Sequence, residues 1–568
     1  MHIRAQKARL AAVFFSYLFI IGVIFLRLLD IQLLNNNSFV KLADAQHQTS
    51  ITLYPQRGMI YDRNEKILAL SLKMFSVYAV PQTIKDKEKT AQVLSEILDI
   101  DEQSLMARLS RKKSFVWVKR RIDEKTIKCI TGLNLAGVGY RREYKRYYPN
   151  GELAAHVLGF SGMDDRGLEG GELYYDRYLK GQLGRRSILR DAKQRILPAF
   201  EYELIPVVDG YNLVLTVDEV IQHIVEEELK NAFAKSNAKA ASVVVMNPYT
   251  GEIYALANLP SYNLNFYQET DTELRRNRAI TDFFEPGSTF KIITASAALN
   301  ENIVKPNDTF FCENGEYRIA NHTLHDHKPH GELTFIEIIE KSSNIGVAKI
   351  AQKMGGRILQ KHIELFAFGE KTRIDLPGET AGMVRNLEDW SKTSIGAIPM
   401  GQEIAVSVLQ MTRAMAVIAN GGNLVQPHIL RKIMDVNGEL IQEFSCKNSS
   451  RIISRRTASI MKQILKRVVA SGTGKQAKIN GYETAGKTGT AQKVEPNGTY
   501  SHSKFIASFV GFAPVKKPRV VVMVVMDEPR PVYYGGVVCA PVFKNITERI
   551  LKYLNVPKSD ERVARQVK

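Results

Sequence analysis

The first strong pattern along the chain is an uncharged apolar run, LAAVFFSYLFIIGVIFL, over Leu10–Leu26. Spanning the hydrocarbon core of a bilayer takes about 20 residues, with a lower limit near 17, so the run predicts a transmembrane helix if Arg27 extends its charge to the interface. Basic residues precede the run and no acidic residue does: Arg4, Lys7 and Arg9. Because positive charge stays on the cytoplasmic side, we expect residues 1–35 to form an anchor, with the rest of the chain on the outer face of the membrane.

A cleaved signal peptide is the alternative interpretation of this run. Its apolar core is normally about 7–15 residues long, and a small-x-small cleavage site follows closely behind. The nearest such site, Ala43-Asp44-Ala45, lies well beyond the apolar run. A retained anchor therefore fits the pattern better.

Residues 36–235 mix short apolar and polar stretches and predict one α+β domain, which we call the pedestal. One landmark is PQRGMIYDRN at Pro55–Asn64, a turn-rich segment ahead of the alternating stretch Lys66–Ser71. Another is RGLEG at Arg166–Gly170. Both are typical of buried ion pairs and tight glycine turns, and neither combines a nucleophile with a base. The pedestal is thus expected to be scaffolding.

The pattern changes near residue 236, where the strands and helices of an α/β domain begin. Two hairpins and two long helices are predicted: Ala241–Met246 with Glu252–Asn258, Phe505–Phe512 with Arg519–Met526, Phe290–Leu299, and Ile336–Lys353. These elements predict a central antiparallel sheet built from both ends of the domain and flanked by the inserted helices. The domain is expected to cover residues 236–555, followed by a charged tail at 556–568.

The amino-acid composition limits which classes of protein are possible, but it does not identify the function. The chain has 568 residues and 45% hydrophobic content, which is enough for more than one domain with its own core. Its formal net charge is +19, but the basic residues are spread out and no nucleic-acid-binding module is recognisable. Surface solubility and attraction to anionic lipid or a phosphate-bearing substrate both explain the charge. The cysteines show neither metal nor disulfide spacing: Cys129, Cys312, Cys446 and Cys539.

Three short motifs carry the candidate chemistry: Ser288-Thr289-Phe290-Lys291, Ser342-Ser343-Asn344 and Lys487-Thr488-Gly489-Thr490. Each is frequent by chance, since S-x-x-K is often a helix cap with a solvent-exposed lysine and K-T-G is often a turn. Their separations of 54 (342 − 288) and 143 (487 − 344) residues place all three in one predicted domain. In this order they indicate a serine nucleophile that works with lysine, which is acyl-transfer chemistry.

Ser288 is the predicted nucleophile and Lys291 the predicted base. A buried helix follows Glu285-Pro286-Gly287, so Ser288 should lie at a helix start with Lys291 one turn later on the same face. To act as a base near neutrality, Lys291 needs a pKa roughly 3 units below the usual value of about 10.4. Burial and a second cation would lower it. Lys487 is the candidate for that cation, and Ser342 for a proton relay between the two lysines.

The remaining motif residues are predicted to bind substrate. Asn344 has an amide that both donates to and accepts from a peptide group. The KTGT segment predicts an edge strand in which Gly489 leaves room for a ligand backbone. Thr488 and Thr490 offer hydroxyls to a terminal carboxylate, and the Thr490 N–H is a candidate for an oxyanion hole.

A histidine-rich segment needs a separate interpretation. It places four histidines around Asp326: His322, His325, His327 and His330. Such spacing is compatible with zinc ligands. We favour a polar loop near the mouth of the active site, because the segment is not a helix face and serine acylation needs no metal. We therefore predict no metal site and no cofactor.

With these residues in view, the chain resembles the class B penicillin-binding proteins, the monofunctional peptidoglycan transpeptidases, over nearly its full length. The segments that carry the resemblance are RGMIYDRN and GLEGGE in the pedestal, and MNPYTGEIYALAN, EPGSTFK, FGEKTRIDLPGE, GQEIAVS, AGKTGTAQK, FVGFAP and YYGGVVCAPVF beyond it. The resemblance implies a transmembrane helix, a dimerisation-type α+β pedestal and an α/β penicillin-binding transpeptidase domain. It also implies a D,D-transpeptidase in which Ser288 attacks stem peptides ending in D-Ala-D-Ala and is acylated by β-lactams.

The resemblance extends to a branch of the family and its cellular setting. GTGKQAKINGYETAGKTGTAQK and YYGGVVCAPVF are most similar to the division (FtsI-type) branch, which makes septal peptidoglycan, and the elongation branch is the alternative. The family implies the bacterial inner membrane, with the N-terminus in the cytoplasm and the bulk in the periplasm. It also implies a lipid-carrier glycan polymerase and other division proteins as partners. Arg373 stands where the family usually has glycine.

Two other functional classes are alternatives to a transpeptidase. The first is a hydrolase, either a D,D-carboxypeptidase or a β-lactamase. A β-lactamase must activate water, and no Glu-x-x-Leu-Asn-type segment that would do so lies between the second and third motifs. A non-catalytic division scaffold is the other, and intact Ser288, Lys291 and Lys487 argue against it.

Overall fold

The computed structural model describes residues 2–39, 48–190, 196–444 and 449–558. Cys446 and residues 559–568 of the predicted tail lie outside the described residues. The contacts divide the chain into two compact units, one of Met1–Pro55 with Gly181–Asp209 and one of Gln56–Lys180 with Gly210–Lys568.

Apart from the first, the described helices before residue 218 are short. The helices are α1 (His2–Leu29), α2 (Lys87–Leu98), α3 (Glu102–Leu109), α4 (Glu124–Gly132), α5 (Ala155–Leu158), α6 (Gly170–Tyr174) and α7 (Asp176–Leu179). The strands are β1 (Gln48–Leu53), β2 (Ile60–Tyr61), β3 (Ile67–Ala79), β4 (Val116–Ile122), β5 (Val138–Tyr147), β6 (Gly184–Arg190), β7 (Ile196–Ile205) and β8 (Asn212–Leu215).

The elements from residue 218 onward include the long helices. These are α8 (Glu219–Ser236), α9 (Thr272–Arg275), α10 (Arg278–Thr281), α11 (Lys291–Asn300), α12 (Phe335–Lys341), α13 (Asn344–Met354), α14 (Gly356–Leu365), α15 (Ser394–Ala397), α16 (Val408–Asn420), α17 (Arg455–Ala470), α18 (Gly535–Val538) and α19 (Ala540–Tyr553). The strands are β9 (Ala240–Met246), β10 (Ile253–Leu259), β11 (Thr309–Phe311), β12 (Glu316–Ile319), β13 (His322–His325), β14 (Glu332–Thr334), β15 (Asn423–Leu424), β16 (Leu430–Met434), β17 (Leu440–Glu443), β18 (Ser450–Arg451), β19 (Ala485–Val494), β20 (Tyr500–Ala513) and β21 (Val520–Asp527).

The first unit consists of α1 and an antiparallel sheet in the order β1–β6–β7. Apolar side chains are exposed along α1, which continues into a π-helical turn at Asp30–Leu34. Judged by length and composition, the segment Ile3–Leu34 is able to cross a membrane. It contains the apolar run from which the anchor was predicted, and Arg27 at its end pairs with Asp30 at 2.6 Å.

In the second unit, one mixed sheet joins pedestal strands to strands from much later in the chain. Its order over the described residues is β17–β16–β8–β2–β3–β4, and β5 also pairs with β3. Strands β2 and β8 are parallel, and the other pairs are antiparallel. β16 continues the sheet beyond β8 through the register Leu430↔Leu215. Residues 430–443 were assigned from sequence to the following domain, because local patterns carry no information about such distant pairing.

A buried ion network ties together the two pedestal landmarks. Glu172 is 0% exposed and accepts hydrogen bonds from Arg57, at 2.7 Å, and from Arg146. Arg57 also donates to Asp176 at 2.7 Å. The expected buried ion pairs are thus confirmed, and they satisfy the polar groups that this core would otherwise leave unpaired.

The second sheet of this unit is antiparallel and has the order β10–β9–β21–β20–β19. The two predicted hairpins are present as β9 with β10 and β20 with β21, and KTGT lies on the edge strand β19. Helix α16 packs on one face, and α8 and α19 pack on the other. Burial on both faces explains why β9 and β21 are almost entirely apolar, apart from Ser242 and Asp527, rather than alternating.

The predicted helix Phe290–Leu299 is confirmed as α11, but the single helix predicted over Ile336–Lys353 is wrong. Two helices, α12 and α13, occupy this stretch. Ser342 ends α12 with a left-handed backbone, φ +63°, and the Ser343 side chain caps α13 by accepting from the Gly346 N–H at 2.9 Å. The apolar periodicity continues through the break, so it conceals a turn that lies within the second motif.

Candidate active site

Ser288 lies in a short 3-10 turn, Gly287–Thr289, that leads directly into α11. Gly287 has φ +52°, and a Cβ there would lie 3.0 Å from the Thr490 carbonyl oxygen, so the turn requires glycine. The Gly287 N–H donates to the Gly401 carbonyl at 3.0 Å. Ser288 is half-buried, and among the described residues none forms a hydrogen bond with its hydroxyl. The hydroxyl is thus held at the helix start without a competing partner.

Lys291 and Lys487 meet at Ser342, and both lysines are 0% exposed. The Lys487 Nζ donates to the Ser342 Oγ at 2.7 Å. The Lys291 Nζ donates to the Ser342 carbonyl at 2.6 Å and lies 3.3 Å from the Ser342 Oγ. Because of the left-handed turn at Ser342, its hydroxyl and its carbonyl both accept hydrogen bonds from the lysine pair. The predicted proton relay requires a hydroxyl in contact with both lysines.

Burial makes these lysines unusual bases. It lowers the pKa of Lys291 from 10.5 to about 7, and the charge of Asp326 opposes that shift. Burial also holds the pKa of Lys487 well below its usual range, and the charge of Lys291 lowers it further. Because a carboxylate stabilises the ammonium of Lys291 alone, a single proton shared by the pair resides on Lys291. From the sequence we expected a charged Lys487 beside a neutral Lys291; the shifts instead indicate that Lys487 loses its proton first.

Asp326 is the site residue whose role sequence reasoning missed. Its carboxylate accepts from the Ser343 Oγ at 2.6 Å, from the Asn344 N–H, and from the Ile345 N–H at 3.1 Å. These bonds satisfy free N–H groups at the start of α13, where a negative charge is also favoured by the helix dipole. Asp326 thereby fixes the second motif in space. Its only sequence signal was its place among the histidines.

Asn344 is engaged with the protein rather than with an open cleft. Its Oδ1 accepts from the Lys291 Nζ at 2.7 Å, and its Nδ2 donates to the His325 carbonyl at 2.8 Å. The amide therefore orients the lysine in the free protein. Its predicted contact with a substrate backbone requires one of these bonds to be exchanged.

The histidine-rich segment was expected to be a loop, but His322–His325 forms strand β13, which pairs with β12, and only the residues after it form a loop. Through Asp326 and the His325 carbonyl this segment contacts the second motif, and the His327 ring packs on Tyr534 with ring centroids 5.3 Å apart. No group of three or more His, Cys, Asp or Glu side chains is placed to hold a metal ion within the described ranges. Of the cysteines in those ranges, Cys312 and Cys539 are buried and Cys129 is exposed, all as free thiols.

The third motif runs along β19 beside the Ser288 turn. A Cβ on Gly489 would lie 2.9 Å from the Pro286 carbonyl oxygen, 2.9 Å from the Thr289 side chain and 2.3 Å from the Ser508 hydroxyl. The absent side chain therefore lets β19 contact the serine turn; it does not leave the room for a ligand that was expected. Gly535 packs equally closely, since a Cβ there would lie 2.2 Å from the Gly489 carbonyl oxygen.

The two threonines of this strand point to different partners. The Thr488 hydroxyl bonds to the Thr473 hydroxyl at 2.8 Å, and the Thr490 hydroxyl accepts from the Gly535 N–H at 3.1 Å. Each hydroxyl keeps hydrogen-bonding capacity for an incoming anion, because a hydroxyl has one proton and two lone pairs. Neither partner was anticipated: Thr473 lies 14 residues before the motif (487 − 473) and Gly535 lies 45 residues after it (535 − 490).

The structure thus joins Lys291, Ser342, Asn344 and Lys487 in one hydrogen-bonded cluster and packs β19 against the turn that carries Ser288. A half-buried hydroxyl at a helix start, two desolvated lysines, a relay hydroxyl and an edge strand are the components of acyl transfer without histidine. The fold and this arrangement define a class of protein, the serine acyltransferases that work with lysine.

Comparison with known proteins identifies the family. The penicillin binding protein transpeptidase domain matches residues 241–548, and the penicillin-binding protein dimerisation domain matches residues 52–215. The chain is 34% identical to the stage V sporulation protein D of Bacillus subtilis, over 97% of this chain and 87% of that protein. It is 35% identical to the peptidoglycan D,D-transpeptidase FtsI of Escherichia coli, over 93% of this chain and 88% of that protein.

A solved structure agrees with these matches. Penicillin binding protein 3 of Mycobacterium tuberculosis, complexed with aztreonam, superposes with a TM-score of 0.71 at 28% identity, covering 90% of this chain and 98% of that one. This chain belongs to the class B penicillin-binding proteins, with a dimerisation domain and a transpeptidase domain, and is a peptidoglycan D,D-transpeptidase.

Proposed function

We propose that this chain cross-links septal peptidoglycan during cell division, by serine acyl transfer at the Ser288 cluster. The buried Lys291–Ser342–Lys487 arrangement is the observation that carries the catalytic part. The division role is supported by the FtsI-like segments around KTGT and by the identity of 35% with an FtsI protein. Identity with a sporulation protein is almost equal, at 34%, so the cellular role needs its own experiment.

In the first half-reaction, the Ser288 Oγ attacks the carbonyl carbon of the penultimate D-Ala. A C–O bond forms, the C–N bond to the last D-Ala breaks, and an acyl-enzyme results. The hydroxyl proton passes to a neutral Lys291 and reaches the departing amine through the Ser342 hydroxyl and Lys487. The backbone N–H groups of Ser288 and Thr490 are the proposed donors to the oxyanion.

The substrate is proposed to lie along β19. Its terminal carboxylate would accept hydrogen bonds from Thr488 and Thr490, with Gly489 between them bringing the strand against the serine turn. Asn344 would exchange its bond to the His325 carbonyl for one to the substrate backbone. In the second half-reaction, an amine of a neighbouring stem peptide attacks the ester, the Ser288 C–O bond breaks, and the proton returns to Ser288.

The proposal includes the organisation of the whole chain. Residues 1–35 are the membrane anchor with its tip in the cytoplasm, 36–235 the pedestal, 236–555 the transpeptidase domain and 556–568 a charged tail. The bulk of the chain then faces the periplasm, where stem peptides are exposed. A lipid-carrier glycan polymerase and other division proteins are the proposed partners.

The catalytic part is tested with a fluorescent penicillin. The aztreonam complex of the mycobacterial relative supports acylation by β-lactams here as well. The full chain in detergent should form a stable adduct, and Ser288→Ala should form none while melting at the same temperature. An unlabelled wild type would favour a non-catalytic scaffold, and rapid loss of the label would favour a β-lactamase.

The division part is tested by depleting the chain in its host. Filamentous cells that divide again when the wild type, but not Ser288→Ala, is restored would support a septal transpeptidase. Rounded cells would assign the chain to elongation, and a defect confined to spores would assign it to sporulation. Rescue by Ser288→Ala would show that the scaffold, not the chemistry, is needed.

A further inference from the structure

One concave site is lined by residues that belong to none of the three motifs. It is a cavity of about 350 Å³, where residues of the pedestal meet residues 262–281 and 376–378. Apolar side chains form part of its wall: Leu173, Tyr262, Leu376 and Pro377. A volume of this size suits a small ligand, and sites of that kind combine apolar walls with a few converging polar groups.

Arg275 is a polar group in this wall with unused hydrogen-bonding capacity. Its guanidinium forms no hydrogen bond with any described residue, and its Nε is buried without a partner. The nearest carboxylate oxygen belongs to Glu169, at 3.9 Å, which is beyond hydrogen-bond distance. A guanidinium carries five N–H donors, so an uncommitted one in a cavity is suited to a carboxylate.

Glu169 and His156 supply acceptors in the same wall. No described residue donates a hydrogen bond to the Glu169 carboxylate. The His156 Nε2 bonds to the Leu274 carbonyl at 2.9 Å, and burial lowers the pKa of this histidine to about 4, so the ring is neutral and its Nδ1 is an acceptor. The Nδ1 has no partner among the described residues.

The other polar side chains of the wall are already committed. Arg276 pairs with Glu273 at 3.3 Å and with Asp282 at 3.2 Å. Asn277 donates to the His156 carbonyl at 3.2 Å, and its Oδ1 accepts from Asn258 at 2.9 Å. Arg275 and Glu169 face each other as an ion pair without a hydrogen bond, and the Arg275 guanidinium lies 5.5 Å from the centroid of the Phe160 ring. The groups with unused hydrogen-bonding capacity are therefore one cation and two acceptors on a single cavity.

We propose that this cavity binds a small ligand carrying both a carboxylate and an amine, such as a free amino acid or a dipeptide. Arg275 donates two hydrogen bonds to the carboxylate of the ligand, and Glu169 and the His156 Nδ1 accept hydrogen bonds from its amine. The proposal rests on this wall alone and does not depend on the reaction at Ser288.

Glycylglycine is the probe, because it is zwitterionic and achiral. The full chain in detergent is first labelled with penicillin, which occupies Ser288 and reports the proposed function separately. Saturable binding is then measured by calorimetry, with a dissociation constant expected at roughly 1 mM or tighter. Arg275→Gln should weaken binding by at least about 10-fold, as for a lost charge-assisted bond, whereas the paired Arg276→Gln should change it by less than about 3-fold.

Capped peptides test the two ends of the ligand. N-acetylglycylglycine lacks the charged amine and glycylglycinamide lacks the carboxylate, and each should bind at least about 10-fold more weakly. Melting temperature and penicillin labelling confirm that each variant is folded. No saturable binding by the wild type, equal effects of the two arginine variants, or undiminished binding of the capped peptides would each overturn the proposal.

Discussion

The titration of Lys291 should control how fast Ser288 is acylated, and both pH and Asp326 perturb it. Burial places the pKa of Lys291 at about 7 instead of 10.5. The difference, 10.5 − 7 = 3.5 units, corresponds to about 5 kcal/mol of disfavoured charge. At pH 7 about half of Lys291 is then neutral, against roughly one molecule in 3000 for an unperturbed lysine. Burial thus makes the neutral base about 10³-fold more abundant.

The charged groups that act on Lys291 determine the sign of the mutant effect. Asp326 stabilises its ammonium, so Asp326→Asn should move the pKa of Lys291 further down. Lys487 already loses its proton more readily than Lys291, and so adds no charge while Lys291 titrates. The same substitution weakens the bonds to Ser343 and Asn344, so the maximal rate should fall while the midpoint shifts to lower pH.

The assay is the second-order rate of acylation by a fluorescent penicillin, from about pH 5.5 to about pH 9.5, which reports the free enzyme. The wild type should show a rising limb with its midpoint near 7. Glu316→Gln is the matched control, because that carboxylate lies on the same hairpin with 75% of its side chain exposed. A wild-type midpoint above about 9, or a midpoint in Asp326→Asn that rises or equals the control, would refute this account of the base.

Three further predictions follow from packing and burial. Gly489→Ala should separate β19 from the serine turn and slow acylation at least about 10-fold. Gly132→Ala is the control and should not slow acylation, because the space around Gly132 is open. Equal acylation rates in the two variants would contradict the packing argument. The free energy of unfolding of Lys291→Met should rise relative to that of the wild type as pH falls. In the wild type, Lys291 binds a proton below about pH 10.5 when the chain is unfolded but only below about pH 7 when it is folded. Between pH 9.5 and pH 7 the gain should be about 3 kcal/mol by denaturant unfolding, and a constant difference would count against it. Glu172→Gln should cost about 3–5 kcal/mol, because it removes the carboxylate that pairs with Arg146 and leaves Arg57 with Asp176 alone. Labelling per folded molecule should be unchanged. Exposed Asp164→Asn should cost almost nothing, and similar losses in both variants would contradict the network's role.

Local patterns in the sequence predicted the elements that depend on local physics. The apolar run identified α1, strand-like runs located the hairpins of the central sheet, and Glu285-Pro286-Gly287 marked the turn before α11. Each of these signals lies within a short window, where side-chain periodicity and turn residues act directly on the backbone.

Features that depend on distant contacts were not predictable in this way. The break at Ser342 interrupts a continuous apolar period, and β16 joins a sheet whose next strand, β8, is more than 200 residues away in sequence. Asp326 gains its role only when the histidine-rich hairpin reaches α13. The order in which the two lysines lose their protons depends on which ammonium has a carboxylate beside it, and spacing along the chain does not reveal that.

The shared mixed sheet limits how this chain can be recombined with its relatives. A chimera joined near residue 235 would take β2, β3 and β8 from one parent and β16 with β17 from the other. Asp375 forms a second connection between the two regions. Its carboxylate accepts hydrogen bonds from Tyr175 of the pedestal, from the Ile429 N–H, and from the Leu430 N–H at 2.8 Å. The unit that can be exchanged intact is therefore discontinuous in sequence, and a pedestal graft should carry residues 430–443 with it.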